Sequence, residues 1–114
     1  MSADYAVIKA FNHNVVLAEQ QGVEKILIKK GIGFSAKGGE RIPASTALER
    51  VFVIENPETN QKFKQLITQI DDRLVGTCEE VLHLISSATG ELLDEEMHVR
   101  LTDHIAFTVF RLQN

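Results

Sequence analysis

The chain has few of the residues from which several kinds of functional site are built. Its 114 residues include a single cysteine, Cys78, so an internal disulfide is excluded, and no cysteines or histidines have the spacing of a zinc site. No run of about 18 apolar residues is present, and no charged segment followed by an apolar one opens the chain, which argues against a membrane span and a signal peptide. We expect a cytoplasmic protein without membrane insertion, bound metal or other cofactor.

Aromatic residues are also scarce, since the chain has no tryptophan, one tyrosine and six phenylalanines. Phe34 ends the segment 29–34, Lys-Lys-Gly-Ile-Gly-Phe, which follows a strand pattern and leads into a glycine-rich loop that contains Lys37. Positive charge, a backbone that a partner can approach closely and one aromatic ring together suit unpaired nucleic-acid bases. An ordinary loop whose phenylalanine is anchored in the core has the same pattern, so both interpretations stay open.

Charge is unevenly distributed along the chain, whose formal net charge is −4. Residues 1–54 carry seven Lys and Arg against five Asp and Glu, a net +2, whereas residues 55–114 carry five against eleven, a net −6. This asymmetry predicts a bipartite chain. Clustered bases around the glycine loop can attract phosphate whatever the total charge.

The first half has the alternation of apolar and polar residues that is typical of half-buried strands. We predict four short antiparallel strands over residues 5–11, 14–18, 24–29 and 50–54, with turns at 11–14 and 20–23. Residues 31–48 form a long loop for so small a sheet, and long ordered loops often carry function. In such a meander the first turn and the loop leaving the third strand lie at the same end of the sheet.

Side chains of complementary chemistry are expected to meet at that end. Asparagine offers a donor and an acceptor to base edges, lysine attracts phosphate, and a phenyl ring stacks on bases. Simpler interpretations exist, because asparagine also forms turns and lysine often lies on a solvated face. A dimeric protein-interaction module, with the glycine loop docking a peptide or another subunit, is the alternative function. The predicted nucleic-acid site comprises Lys9, Asn12, Asn14, Lys30 and Phe34.

After Pro57 the apolar period changes to three and four residues, which predicts helices. Thr59 is the predicted N-cap of the first helix. Thr77 and Glu80 resemble a capping box for a second helix ended by Gly90, and Asp94 caps a third. The second helix has an apolar face of Val81, Leu82, Leu84, Ile85 and Ala88. The predicted face of the third helix is formed by Met97, Leu101, His104, Ile105, Thr108 and Val109.

The predicted fold class is therefore α+β in two parts. Residues 1–56 form a small four-stranded antiparallel sheet domain, and residues 57–114 form an all-α segment of about three helices. Because the chain ends at Asn114 inside an apolar helix, we expect either a longer protein or a partner that completes the helical part. A domain as small as the sheet buries little surface and gains from dimerisation.

Histidine and carboxylate patterns do not favour an enzyme. Asp103 and His104 are adjacent, and neighbouring helical residues point about 100° apart, so they cannot form a catalytic dyad with each other. His98 and His104 are six residues apart, which does not place them on one helix face for metal binding. A solvent-reachable histidine can instead accept a phosphoryl group. The alternative for His104 is a core histidine whose ring nitrogens are both hydrogen-bonded. His83 and His98 are weaker candidates for phosphorylation than His104.

The residues that carry a family resemblance occur in order along essentially the whole chain. They are Lys9, Asn-His-Asn-Val at 12–15, Lys-Gly-Ile-Gly-Phe at 30–34, Arg-Val-Phe at 50–52, Lys-Phe-Lys at 62–64 and Leu-Thr-Asp-His-Ile-Ala-Phe at 101–107. With them the chain resembles bacterial transcriptional antiterminators of the BglG/SacY family, and looks most like their glucose-operon branch, GlcT. The resemblance implies an N-terminal co-antiterminator RNA-binding domain followed by the start of the first regulation domain of the phosphotransferase system.

The resemblance implies a function in detail. Family members bind, as dimers, an RNA hairpin that overlaps a terminator, so that transcription continues into sugar-uptake genes. His104 matches the histidine that phosphotransfer proteins of the sugar transport system phosphorylate. Two departures bear on the choice of hairpin, because Lys29 stands where glycine is frequent and His13 where asparagine is frequent. Positions matching the RNA-contacting residues are Lys9, Asn12, Asn14, Lys30, Gly31 and Phe34.

Overall fold

The computed structural model of the chain describes residues 3–35, 38–90 and 94–113. Lys37 of the glycine-rich loop and Asn114 at the end of the predicted helical part lie outside the described residues. The chain divides into two compact units, residues 1–54 and residues 55–114. The first is a sheet unit and the second a helical unit, and each is described by itself.

The sheet unit is a five-stranded antiparallel sheet with the order β4-β1-β2-β3-β5. Its strands are β1 (Tyr5–Ala10), β2 (Val15–Gln20), β3 (Val23–Ile28), β4 (Arg41–Ile42) and β5 (Arg50–Val53), and a one-turn helix, α1 (Ile32–Ser35), follows β3. The α+β class is confirmed, and all four predicted strands are present. Strand β4 and helix α1 were not predicted, because two and four residues are too few to show a period.

The hairpin between β2 and β3 is fixed by its two-residue turn. Gln20 pairs with Val23, and the intervening Gln21 and Gly22 both have positive φ, 53° and 81°. Positive φ at both central positions defines the turn whose twist matches that of the flanking strands. The turn therefore sets the register that brings Val16 opposite Leu27.

The core of the sheet unit is formed by apolar side chains from neighbouring strands and from α1. Val16 and Leu27 are cross-strand partners without solvent exposure, and burying side chains of this size contributes about 1.5–3 kcal/mol each. Helix α1 contributes Ile32, which anchors the start of the glycine-rich loop in this core. The buried cluster consists of Val7, Val16, Ala18, Leu27, Ile32 and Ile42.

The helical unit contains the three predicted helices, α2 (Pro57–Thr68), α3 (Asp72–Thr89) and α4 (Glu95–Gln113). Gly90 ends α3 in the left-handed conformation as predicted, and the Asp94 carboxylate accepts from the Glu96 amide at 2.8 Å. The other two predicted caps are wrong. Asn56 caps α2, three residues before Thr59, and Asp71 caps α3, which begins one and a half turns before Thr77.

The predicted apolar faces of α3 and α4 are also partly wrong. Leu84 of α3 is 66% exposed, and His104 and Met97 of α4 are exposed. The buried positions of α4 are His98, Thr102 and Ala106, which repeat every four residues. Apolar periodicity did not find this face because polar and small residues occupy it.

A buried polar cluster explains these residue types. His98 Nε2 lies 2.6 Å from Glu79 Oε2, and the two side chains are 3% and 0% exposed. Thr102 donates to Glu79 Oε1 at 3.4 Å and to the His98 carbonyl at 3.0 Å. The Phe63 ring of α2 meets the His98 ring edge-on, with centroids 5.8 Å apart. Residues of α4 thus surround one carboxylate of α3, and α2 packs against the imidazole. A carboxylate is costly to bury unless its partners are in place.

Cys78 lies beside this cluster and is fully buried. Burial, and secondarily the Glu79 carboxylate, raise the pKa of the Cys78 thiol to about 11. Because the thiolate is the nucleophile, the thiol is unreactive at neutral pH. Cys78 is a core residue, and its Sγ donates to the Thr102 carbonyl at 3.8 Å.

We expect that replacing Glu79 with alanine lowers the free energy of unfolding of the helical unit by about 3–5 kcal/mol, because it removes the buried acceptor shared by His98 and Thr102. Urea denaturation followed by the helical circular dichroism signal measures the change.

The matched control replaces both members of the pair with apolar residues, Glu79→Met together with His98→Leu. This double variant should retain most of the stability, because no buried polar group is then left without its partner. A Glu79→Ala variant as stable as one with the exposed Glu96 replaced by alanine would contradict the assigned role.

Candidate nucleic-acid interface

The turn between β1 and β2 is a compact structure built by its first asparagine. The Phe11 and Asn12 amides donate to the Val15 carbonyl at 2.9 and 3.3 Å. The Asn12 carboxamide oxygen accepts from the Asn14 amide at 2.8 Å, which is the local bond by which asparagine shapes turns. The turn-forming interpretation of Asn12 therefore holds, and its side chain is oriented by the backbone.

The loop that leaves β3 is hydrogen-bonded directly to this turn. The Lys29 amide donates to the Asn14 carbonyl at 3.1 Å, and the Gly31 amide donates to the Asn14 carboxamide oxygen at 2.9 Å. Two residues later, the Gly33 amide donates to the His13 carbonyl at 2.7 Å. The two segments lie at the same end of the sheet, as predicted, and three backbone amides join them into one surface.

The two glycines of the loop are required for different reasons. Gly31 has a φ of +81°, a conformation that side chains strain, although a Cβ there would meet open space. At Gly33 a Cβ would lie 2.0 Å from the Asn12 carbonyl oxygen, so no side chain fits. The sequence predicted that both glycines let a binding partner approach the backbone. At Gly33 this prediction is wrong, because the group that packs against it is the chain's own Asn12–Asn14 turn.

Phe34 is not a core anchor, because its side chain is 66% exposed. Its ring stacks on the exposed imidazole of His13, with centroids 3.9 Å apart and planes inclined by 25°. The core anchor of the loop is the buried Ile32 instead. This division of roles leaves an aromatic ring exposed to solvent at the end of the sheet unit.

Basic side chains lie on the same loop and on strand β1. Lys30 is exposed, while its amide donates to the Glu49 carboxylate at 2.7 Å. Lys9, at the end of β1, holds its ammonium 5.6 Å from the centroid of the Phe11 ring. A groove in the sheet unit adds one base that the sequence did not single out, Arg41, which β4 brings to it. The groove is lined by Lys29, Lys30, Gly31, Ile32, Arg41, Ile42, Pro43 and Thr46.

The predicted phosphorylation residue lies in the helical unit. His104 is exposed on α4, next to the exposed Asp103, so the core interpretation of this histidine is wrong. His98 is a core histidine, in agreement with the sequence, which favoured it less than His104 as a phosphoryl acceptor. Within residues 3–35, 38–90 and 94–113, no three His, Cys, Asp or Glu side chains are arranged to hold a metal ion. No helix in the same ranges is long and apolar enough to cross a membrane.

Comparison with known families agrees with the geometry of this end of the sheet. Residues 5–61, half of the chain, match the family model of the CAT RNA binding domain. The matched range covers the whole sheet from β1 to β5, including the turn and the loop joined to it. The chain therefore carries a CAT RNA-binding domain.

Similar proteins are found among bacterial regulators. The chain is 34% identical over 110 residues to Protein GlcT of Staphylococcus haemolyticus and 31% identical over 108 residues to Transcription antiterminator LicT of Bacillus subtilis, covering 96% and 94% of its own length. It spans 39% of the length of each. A crystal structure of GlcT CAT-PRDI matches 96% of this chain and 66% of its own with a TM-score of 0.69 and 35% identity.

The chain belongs to the BglG/SacY family of transcriptional antiterminators, in its GlcT branch. The sheet with its joined turn and loop corresponds to the part of the chain that the RNA-binding family model covers.

We expect Gly33→Ala to destabilise the sheet unit more than Gly31→Ala. The Gly33 variant must displace the Asn12 carbonyl, and overpacking of this kind costs about 1–3 kcal/mol, whereas the Gly31 variant meets open space and bears only the strain of positive φ, about 1–2 kcal/mol. Protection of the β1–β3 amides against hydrogen exchange reports on the stability of this unit.

The same spectra locate the effect. The Gly33 variant should shift the amide signals of Asn12 to Asn14, whereas Gly31→Ala should perturb mainly its own loop. Equal stability of the two variants, with unshifted turn signals, would show that the turn and loop are not tightly packed.

Proposed function

We propose that the chain is the RNA-recognising and signal-receiving part of an antiterminator. It binds, as a dimer, an RNA hairpin that overlaps a terminator and so permits transcription of a sugar-uptake operon. The observation that carries the proposal is the surface at one end of the sheet, where the exposed Phe34 and Lys30 lie on a loop whose backbone amides bond to the Asn12–Asn14 turn. Its location within a CAT RNA-binding domain supports RNA as the partner.

Each part of the surface has a distinct role in this proposal. Phe34 stacks on an unpaired base of the hairpin, since aromatic rings bind bases with little sequence preference. Lys9 and Lys30 contact phosphates, and Arg41 extends the positive surface along the groove next to Lys30. Gly31 permits close approach, because the space beside its Cα is open.

Asn12 and Asn14 act in two ways. Their carboxamide oxygens accept bonds from the backbone, so the side chains are oriented before RNA binds. Each carboxamide also carries an NH₂ group, a donor suited to the acceptor atoms of base edges. Because the oxygens fix the orientation of these groups, recognition needs little reordering of the protein.

Dimerisation follows from the size of the sheet unit. A domain of about 60 residues buries only about 60% of the surface of its unfolded chain, so pairing with a second copy adds stability as well as a second RNA surface. RNA affinity then depends on protein concentration, since only the dimer presents both surfaces.

His104 is the regulatory residue in this proposal. Its exposure on α4 makes the imidazole accessible to the phosphotransfer proteins of the sugar transport system. A phosphoryl group adds about 1.5 to 2 negative charges at neutral pH, next to the Asp103 carboxylate. The resulting repulsion in an already acidic unit can change how the helices associate with a partner, which couples sugar transport to transcription.

The function is tested by RNA selection. The immobilised chain is incubated with fragmented cellular RNA of its source organism, and the retained RNA is sequenced. We expect enrichment of one hairpin class beside transcription terminators upstream of sugar-uptake genes. Absence of any enriched RNA would contradict the proposal and would favour the protein-docking alternative.

Within the same assay, Phe34→Ala should weaken binding of the enriched hairpin by about 1–3 kcal/mol, the usual contribution of one stacked base. Phe110→Ala is the matched control, because Phe110 is an equally exposed phenylalanine, 60% against 66%, in the helical unit. Unchanged affinity in a folded Phe34→Ala variant would exclude this ring from the site.

We expect His104 to be phosphorylated when the chain is incubated with the phosphotransferase proteins and phosphoenolpyruvate. An acid-labile phosphate, mapped by mass spectrometry at neutral pH, should be absent from His104→Ala and present in His83→Ala. Because His104 is exposed, its replacement should leave the fold intact. Equal labelling of the His104→Ala variant would contradict the assignment.

A further inference from the structure

We infer that His13 is a positioning residue for RNA binding. Its imidazole holds the Phe34 ring in a fixed orientation, so that the two rings form a preassembled platform on which an unpaired base stacks. The inference rests on the proposed RNA-binding function and adds to it a residue that stands where the resemblance leads one to expect asparagine.

The first argument is the geometry of the two rings. Their centroids are 3.9 Å apart and their planes are inclined by 25°, which is a stacked arrangement. One face of the Phe34 ring lies against His13, yet 66% of the side chain is exposed. The opposite face is therefore the one available to a base.

The second argument is that the backbone segments carrying the rings are held together. The Gly33 amide donates to the His13 carbonyl at 2.7 Å, so the residue before Phe34 is bonded to His13 itself. The adjacent bond from the Gly31 amide to Asn14 fixes the other side of the turn. The rings are consequently placed face to face by the fold, and do not depend on RNA to bring them together.

The third argument is that stacking on His13 restricts the rotamers of the Phe34 side chain before RNA binds. An exposed phenylalanine side chain is free to change rotamer, and ordering such a side chain on binding reduces affinity. A ring already stacked on an imidazole has lost much of that freedom before RNA arrives. Asparagine at position 13 would form the turn equally well but has no ring, so the additional effect belongs to the imidazole.

The test is a double-mutant cycle with His13→Asn, Phe34→Ala and the combined variant, measured as dissociation constants for the hairpin recovered by RNA selection. His13→Asn keeps a turn-forming residue and should weaken binding about three- to tenfold, the range expected for losing the pre-ordering of one side chain. In the Phe34→Ala background the same change should have less than a twofold effect, since His13 acts through the phenyl ring. His13→Phe, which restores a ring, should recover most of the affinity.

Two results would overturn the inference. If His13→Asn weakened binding equally in the original chain and in Phe34→Ala, His13 would act independently of Phe34. If it weakened binding in neither, the imidazole would have no role in binding.

A measurement without RNA separates failure of this inference from failure of the proposed function. In the free protein, stacking on imidazole should shift the Phe34 ring proton signals, and His13→Asn should return them towards values for an exposed ring. Unshifted signals in the original chain would disprove the stacked platform whether or not RNA binds. Shifted signals without any recovered RNA would leave the platform intact and contradict only the proposed function.

Discussion

The candidate RNA surface depends on the hydrogen bonds by which the backbone of the 29–34 loop is held to the Asn12–Asn14 turn. The Gly31 and Gly33 amides donate to Asn14 and His13, which are neighbours of each other in the turn. Without these bonds, an exposed loop containing Gly31 at positive φ would sample many conformations. The position of Phe34, which directly follows Gly33 and stacks on His13, depends on this junction.

The two units keep their structure by different means. Apolar side chains such as Val16 and Leu27 fill the core of the sheet unit, and a tight turn sets their register. At the centre of the helical unit, Glu79 and His98 hold α3 to α4 through a short polar contact in a region without solvent. This pair lies out of water, so its polar groups are costly to leave without each other, and α3 and α4 are held together by that requirement.

How much the sequence could predict depended on how far along the chain each signal extends. Strands β1 to β3 and the meeting of turn and loop follow from patterns of several residues, and were predicted. The buried face of α4 was not, because His98 and Thr102 are polar and their burial depends on Glu79, which is distant in sequence. The stacking of His13 on Phe34 likewise requires a contact across 21 residues that no local period encodes. Where a role arises from pairing distant polar or aromatic groups, local patterns carry no signal of it.

The double use of Asn14 has a consequence for how the site can evolve. The oxygen of its side chain accepts from the Gly31 amide and so fixes the loop, while the NH₂ group of the same carboxamide is the donor to which the proposed function assigns base recognition. A lineage that changes this residue to read a different base also loosens the loop that presents Phe34. Divergence of target preference is therefore easier at positions whose side chains do not also hold the loop in place.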